Sequence, residues 1–105
     1  MSDRLAAARD YVAKKPTDRF GLYALAMELR KAKAWDECFA TFDRLLQHHP
    51  DYGAGWYHYG MGKKESGDRA AAIDVLEKGL AACARSGDGK TRAEIEDALD
   101  ELKDS

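Results

Sequence analysis

Residues 56–76, WYHYGMGKKESGDRAAAIDVL, decide the fold of this chain. Small and apolar residues recur there at three- and four-residue steps on both sides of a central turn, namely Trp56, Tyr59 and Gly60, then Ala72, Ile73 and Leu76. Gly67 suits the left-handed residue that ends a helix, and Asp68 suits the N-cap of the next one. The stretch therefore predicts a helical hairpin.

The same unit occurs again 34 residues upstream. This shift superposes similar residues, namely Pro16 on Pro50, Leu22 on Trp56, Leu25 on Tyr59, Ala26 on Gly60, Cys38 on Ala72 and Phe42 on Leu76. A third copy begins in the N-terminal segment, where Leu5 aligns with Phe39 and Ile73, and Val12 with Leu46 and Leu80. A repeat of this length predicts stacked hairpins that share one core.

The 34-residue period, with Trp56-x-x-Tyr59-Gly60 followed by Ala72-x-x-x-Leu76, resembles the signature of the tetratricopeptide repeat (TPR) family. The resemblance covers nearly the whole chain. It implies an all-α fold, a right-handed superhelix of antiparallel helical hairpins, that is, a TPR-like α-solenoid of about six helices. We expect helices near residues 3–15, 18–32, 35–49, 53–66, 69–85 and 90–103.

We expect residues 1–105 to form a single TPR-like domain. Its parts are residues 1–16 as an N-terminal capping half-repeat, 17–50 and 51–86 as repeats, and 87–105 as a C-terminal capping helix. The capping helix should turn Ile95, Leu99 and Leu102 inward and its acidic residues towards water.

Composition and charge favour a cytoplasmic protein. The chain is 45% hydrophobic and 34% charged, which is typical of an ordered soluble domain. Its net charge of -2 disfavours a nucleic-acid partner, and no apolar run approaches the roughly 20 residues that span a bilayer. No apolar signal segment follows Met1. Cys38 and Cys83 lack the spacing of a metal or redox site, which indicates a reducing compartment.

The first helix of each hairpin should line the concave face of the stack. Residues beside its packing stripe are candidate contacts for a protein or peptide partner, namely Phe20, Tyr23, Met27 and Arg30, and Tyr57, His58, Met61 and Lys64. Tyrosine and methionine suit the capture of a peptide or helix, because they combine apolar area with polar tips and adaptable shape. The alternative is that these side chains only pack on each other.

Other patterns carry little chemistry. His48 and His49 are adjacent on a helix and point in different directions, so they form a poor metal pair. The segment 87–91, GDGKT, lacks the upstream glycine and the strand of a phosphate-binding loop. No nucleophile lies beside a base in the sequence. We therefore expect no catalytic residue, no enzyme activity, no cofactor and no metal.

The sequence thus predicts a protein–protein interaction module, an adaptor or scaffold that binds a partner's peptide or helix in a concave groove. The alternative is a self-assembling, homo-oligomeric unit without a separate peptide ligand. Residues 1–35 carry eight basic and four acidic side chains, whereas residues 88–105 carry three basic and seven acidic ones. Opposite charges at the two ends would favour head-to-tail stacking of copies.

Overall fold

The computed structural model of the chain describes residues 3–104. Met1, Ser2 and Ser105, which the predicted domain includes, lie outside the described residues. Six helices follow in order: α1 (Asp3–Lys14), α2 (Arg19–Lys31), α3 (Trp35–His48), α4 (Gly53–Glu65), α5 (Arg69–Ser86) and α6 (Gly89–Asp104). Each begins and ends within one residue of its expected bounds, and the described range contains no strand. The all-α prediction is confirmed.

Aspartate and glycine set most of the helix boundaries. Three aspartates at N-caps accept hydrogen bonds from backbone N–H groups three residues later, Asp18 from Gly21 (2.8 Å), Asp68 from Ala71 (3.0 Å) and Asp88 from Thr91 (3.0 Å). Gly67 and Gly87 end α4 and α5 in the left-handed region, with φ values of 93° and 76°. Lys33, in the turn between α2 and α3, adopts a φ of 57° without being glycine. The predicted turn at Gly67 and Asp68 is confirmed.

The chain forms two compact units, and the first extends to His49. In this unit α2 packs against both α1 and α3. Its buried apolar residues are Leu5, Val12, Leu22, Leu25, Ala26, Leu29, Cys38, Phe42, Leu45 and Leu46. Side chains tie the helices at the surface: Arg9 pairs with Glu37 at 2.6 Å, and Arg44 donates to the Pro16 carbonyl at 3.0 Å.

The second unit begins at Pro50, and in it α5 packs against both α4 and α6. Its central cluster is Ala72, Leu76, Cys83, Ile95, Leu99 and Leu102, against which Tyr57, Ile73, Leu80 and Ala98 pack. Arg69 of α5 donates to the Leu102 carbonyl at 2.6 Å, and Lys103 pairs with Glu77 at 3.2 Å. These contacts fasten α6 to α5.

The predicted orientation of α6 is confirmed. Its inward residues Ile95, Leu99 and Leu102 are buried, at 0%, 5% and 5% exposure. Its acidic side chains are exposed, as a helix at the edge of a core requires: Glu94, Glu96, Asp97, Asp100, Glu101 and Asp104. The helix therefore covers α5 with one face and meets water with the other.

The contact between α4 and α5 leaves no room for side-chain atoms at Gly79. A Cβ atom at this position would lie 2.8 Å from the Trp56 Cβ and 2.9 Å from the Ile95 Cδ1. The Trp56 Cβ is fixed to the α4 backbone, so it cannot rotate away. Gly79 therefore allows α4 to approach α5 closely.

The variant Gly79→Ala tests this contact. Overpacking of this kind costs about 1–3 kcal/mol, whereas alanine gains up to about 1 kcal/mol of helix propensity. We expect the free energy of unfolding to fall by about 1 kcal/mol, measured by urea denaturation followed by circular dichroism. Gly89→Ala is the control, because a Cβ there meets nothing within 4 Å. Unchanged stability of Gly79→Ala would contradict the close approach.

The N-cap of α6 makes stability depend on pH. Hydrogen bonds from the side chain and backbone of Thr91 lower the pKa of Asp88 below its ordinary value. The folded protein therefore favours the ionised carboxylate more than the unfolded chain does. This contribution is fully present above the ordinary aspartate pKa and is lost as the pH falls through the lower, folded value.

The variant Asp88→Ala should lower the free energy of unfolding by about 1 kcal/mol at neutral pH, because it removes this cap. The difference from the unaltered protein should shrink as the pH falls below about 4. Denaturation curves over a pH series measure both effects. A difference that stays constant down to the acid limit would show that the carboxylate charge plays no part in the cap.

Candidate functional site

The predicted contact residues of the first unit share one face of α2. Helical geometry places Phe20, Tyr23, Met27 and Arg30 beside one another, apart from the buried stripe. Phe20 is 72% exposed, and the other three side chains are half-buried. This face therefore offers accessible aromatic and thioether surface that ends at a positive charge.

Phe20 also borders a groove between α1 and α2. The groove has a volume of about 300 Å³, and its lining residues are Arg4, Ala7, Ala8, Tyr11, Phe20, Gly21, Ala24 and Glu28. Tyr11 and Phe20 are the exposed large hydrophobic residues of the described range, at 38% and 72%. The sequence prediction missed the α1 half of this groove. The repeat register contained a signal for it, because Ala8 aligns with the core residue Phe42.

The predicted contact residues of the second unit lie on α4, where Tyr57, His58 and Met61 are half-buried and Lys64 is exposed. The Tyr57 and His58 rings meet edge to face, with centroids 5.0 Å apart. Tyr57 packs against the central cluster of α5 and α6, and the Lys64 Nζ lies 3.8 Å from a carboxylate oxygen of Glu101. Tyr57 therefore supports the core, and only the remainder of its ring is open to a partner.

His49 and the two cysteines occupy structural positions. The His49 Nε2 lies 2.8 Å from the Thr17 carbonyl oxygen, where a ring N–H donates to it. Cys38 and Cys83 are buried thiols, and burial raises the pKa of Cys83. Within residues 3–104 no group of three or more His, Cys, Asp or Glu side chains is placed to hold a metal ion. None of the helices in this range is both long and apolar enough to cross a membrane.

Two single substitutions on α4 test which side chain packs in the core and which one lies mainly at the surface. Removal of a fully buried aromatic side chain costs about 3–5 kcal/mol, so the half-buried Tyr57→Ala should cost roughly 2 kcal/mol of unfolding free energy. Met61→Ala should cost less than about 1 kcal/mol, as expected for a side chain outside the core. Thermal and urea unfolding measure both values. Equal losses for the two variants would show that Tyr57 is no more part of the core than Met61.

A curated sequence relative carries the same repeat. Over 52 residues the chain is 36% identical to the TPR repeat-containing protein PA0015 of Pseudomonas aeruginosa. The match spans half of this chain and half of the length of that relative. No protein-family model matches the chain.

Solved structures resemble the chain over most of its length. A tetratricopeptide repeat domain protein from Salinibacter ruber is 31% identical in its solution structure, with a TM-score of 0.76 over 83% of this chain and 88% of that one. A crystal structure with the same description and organism gives 30% identity and a TM-score of 0.73, over 82% of this chain and 97% of the other. Protein BPP2914 of Bordetella parapertussis shares the fold, with a TM-score of 0.83, 23% identity, and coverage of 98% and 90%.

Proposed function

Because the chain belongs to the tetratricopeptide repeat family, we propose that it is an adaptor or scaffold that binds a peptide or helix segment of a partner protein. The binding residues in this proposal lie on the first helices of the hairpins, α2 and α4. The observation that carries it is the accessible apolar side chain of Phe20, 72% exposed beside Tyr23 and Met27. Burial of such water-exposed aromatic surface under a partner is favourable, because it removes apolar area from water.

The α2 surface supplies most of the apolar area. Full burial of a side chain the size of Phe20 contributes about 1.5–3 kcal/mol. Tyr23 adds a polar tip, and Met27 adapts its shape to the side chains it meets. Arg30, in the last turn of α2, favours an acidic residue in the bound segment. A single surface of this size supports micromolar affinity.

The α4 surface supplies Met61, His58 and the accessible part of Tyr57. Lys64, in the last turn of α4, adds a second positive charge, whose present partner is the exposed Glu101. Exposed ion pairs contribute at most about 1 kcal/mol, so an incoming carboxylate exchanges with Glu101 at little cost. Both surfaces therefore favour a partner segment that combines apolar and acidic residues.

The proposed partner is a protein, and the proposed setting is the cytoplasm. The net charge of -2 argues against nucleic acid and anionic membranes as obligatory partners. Buried thiols at Cys38 and Cys83 suit a reducing compartment. We assign the chain no catalytic role, cofactor or metal.

The two methionines provide the test. A displayed peptide library selected on the unaltered protein supplies a binding peptide, which is then titrated by calorimetry. The double variant Met27→Gln with Met61→Gln keeps side-chain length and helix propensity while it removes apolar contact. It should bind that peptide about tenfold more weakly, with little change in melting temperature.

The matched control is Ala40→Gln with Ala81→Gln, at exposed positions on the second helices α3 and α5. It should bind as the unaltered protein does. Equal binding by the methionine and alanine double variants would refute the assigned surface. Analytical ultracentrifugation across protein concentrations tests the homo-oligomeric alternative, for which a dimer that the methionine variant abolishes would be the positive result.

A further inference from the structure

In each complete hairpin, the first helix covers one stripe of the second. On α3 the stripe consists of Cys38, Phe42 and Leu45, which are all 0% exposed. The Cys38 Sγ lies 3.5 Å from the Ala26 carbonyl oxygen of α2, so the two helices touch along this stripe. Packing of the first helix on the second is therefore what buries these residues.

The second unit repeats this arrangement 34 residues later. The corresponding stripe on α5 consists of Ala72, Leu76 and Gly79, and all three residues are buried. A Cβ added to Gly60 of α4 would lie 2.5 Å from the Leu76 side chain. In both units, the stripe on the second helix is thus the surface that the first helix covers, and we call this surface the seat.

Helix α1 carries the same stripe, 34 residues before that of α3, in Arg4, Ala8 and Tyr11. Here Arg4 is exposed, Ala8 is half-buried and Tyr11 is 38% exposed. All three residues line the groove between α1 and α2. Within the described part of the first unit, α2 touches the Tyr11 end of this stripe, because Tyr11 donates to Asp18 at 3.2 Å and a Cβ on Gly21 would lie 2.5 Å from the Tyr11 ring. The groove remains open along the rest of the stripe. The groove therefore lies where the repeat places a first helix.

We propose that the groove between α1 and α2 is the docking site for an amphipathic helix of a partner protein, with acidic residues beside its apolar stripe. The helix sits on α1 as α2 sits on α3 and as α4 sits on α5. Phe20 lines this groove and also belongs to the surface assigned above. The present proposal does not rest on that function, because it is argued from Arg4, Ala8 and Tyr11 of α1, which are not among the residues assigned there.

The size of the side chains indicates the shape of this helix. Phe42 and Leu76 project from the seats on α3 and α5, where the covering helices have the small residues Ala26 and Gly60. At the equivalent position α1 has Ala8, which projects far less. The docking helix therefore places a large apolar residue, such as leucine or phenylalanine, against Ala8, and this side chain fills the groove.

The charges at the groove indicate which kind of residue flanks the apolar stripe of the docking helix. Of the carboxylates near the groove, Glu28 lies 3.3 Å from Lys31, and Asp18 accepts from the Gly21 N–H and the Tyr11 hydroxyl. Asp3 and Asp10 of α1 are exposed and do not line the groove.

The cations Arg4, in the groove lining, and Lys15, whose Nζ lies 5.7 Å from the centre of the Tyr11 ring, give the groove a positive edge. Acidic side chains on the docking helix complement that edge.

A pair of stapled helical peptides tests the proposal. Both have the 13-residue length of α2 and the same leucine stripe, and they differ only in glutamate or lysine flanks. The unaltered protein should bind the glutamate peptide about tenfold more tightly than the lysine peptide, measured by fluorescence anisotropy at low salt. Amide chemical-shift changes should centre on α1 and on Phe20, Gly21 and Ala24 of α2.

The variant Ala7→Glu should weaken the glutamate peptide about tenfold, since it places a bulky negative side chain in the groove. Ala13→Glu is the matched control, because it makes the same change at another exposed position of α1. Equal effects of the two variants, or shift changes centred outside α1 and α2, would overturn the proposal. So would a dimer of the unaltered protein that Ala7→Glu dissociates, since the occupant would then be a second copy. The methionine double variant should bind these peptides normally, which keeps this result separate from the test of the proposed function.

Discussion

Close contact between a small residue on one helix and a large apolar residue on the next holds each hairpin together. In the first hairpin the Cys38 Sγ of α3 lies 3.5 Å from the carbonyl oxygen of Ala26 on α2, and Phe42, one turn further along α3, is fully buried. Gly60 leaves no space for a methyl group beside Leu76. The packing inside each hairpin determines which faces of its helices remain exposed. It therefore also determines which side chains of α2 and α4 are accessible to solvent. A larger residue at Ala26 would separate α2 from α3 and disturb the α2 surface, and a larger residue at Gly60 would do the same to α4 and its surface.

The helices and their order could be predicted from the sequence, because local chemistry defines their ends. Aspartates at positions 18 and 68 cap helices through their own side chains, and Gly67 supplies the left-handed residue. A 34-residue register then places the apolar stripes. Of the eight assigned contact residues, six are half-buried, and Phe20 and Lys64 are exposed. Local signals of this kind do not depend on neighbours distant in sequence.

The packing of Tyr57 could not be predicted in the same way, and for the groove beside α1 the repeat register contained only the alignment of Ala8 with Phe42. Tyr57 packs on a cluster that includes Ile95 and Leu99, and these two residues lie on α6, outside the two repeats that the 34-residue register aligns. The groove depends on Arg4, Ala8 and part of the Tyr11 ring being left accessible, whereas the register alone assigns these residues to the same stripe as the core residues of α3. The contacts between helices therefore determine the burial of these residues, which the periodicity of the sequence does not specify.

Lys33 occupies the position in the first hairpin that Gly67 occupies in the second, and both have positive φ. A side chain in the left-handed region costs about 1–2 kcal/mol, a penalty that glycine avoids. The link between α2 and α3 is therefore held in a conformation that its own residue disfavours, and the packing around Phe42 must offset that cost. The first hairpin should open more readily than it would with glycine at this turn, and amide hydrogens near the turn should exchange sooner with solvent. That ease of opening lies at the C-terminal end of α2, so it would let this end of the proposed contact surface, at Met27 and Arg30, adjust its shape to a bound partner.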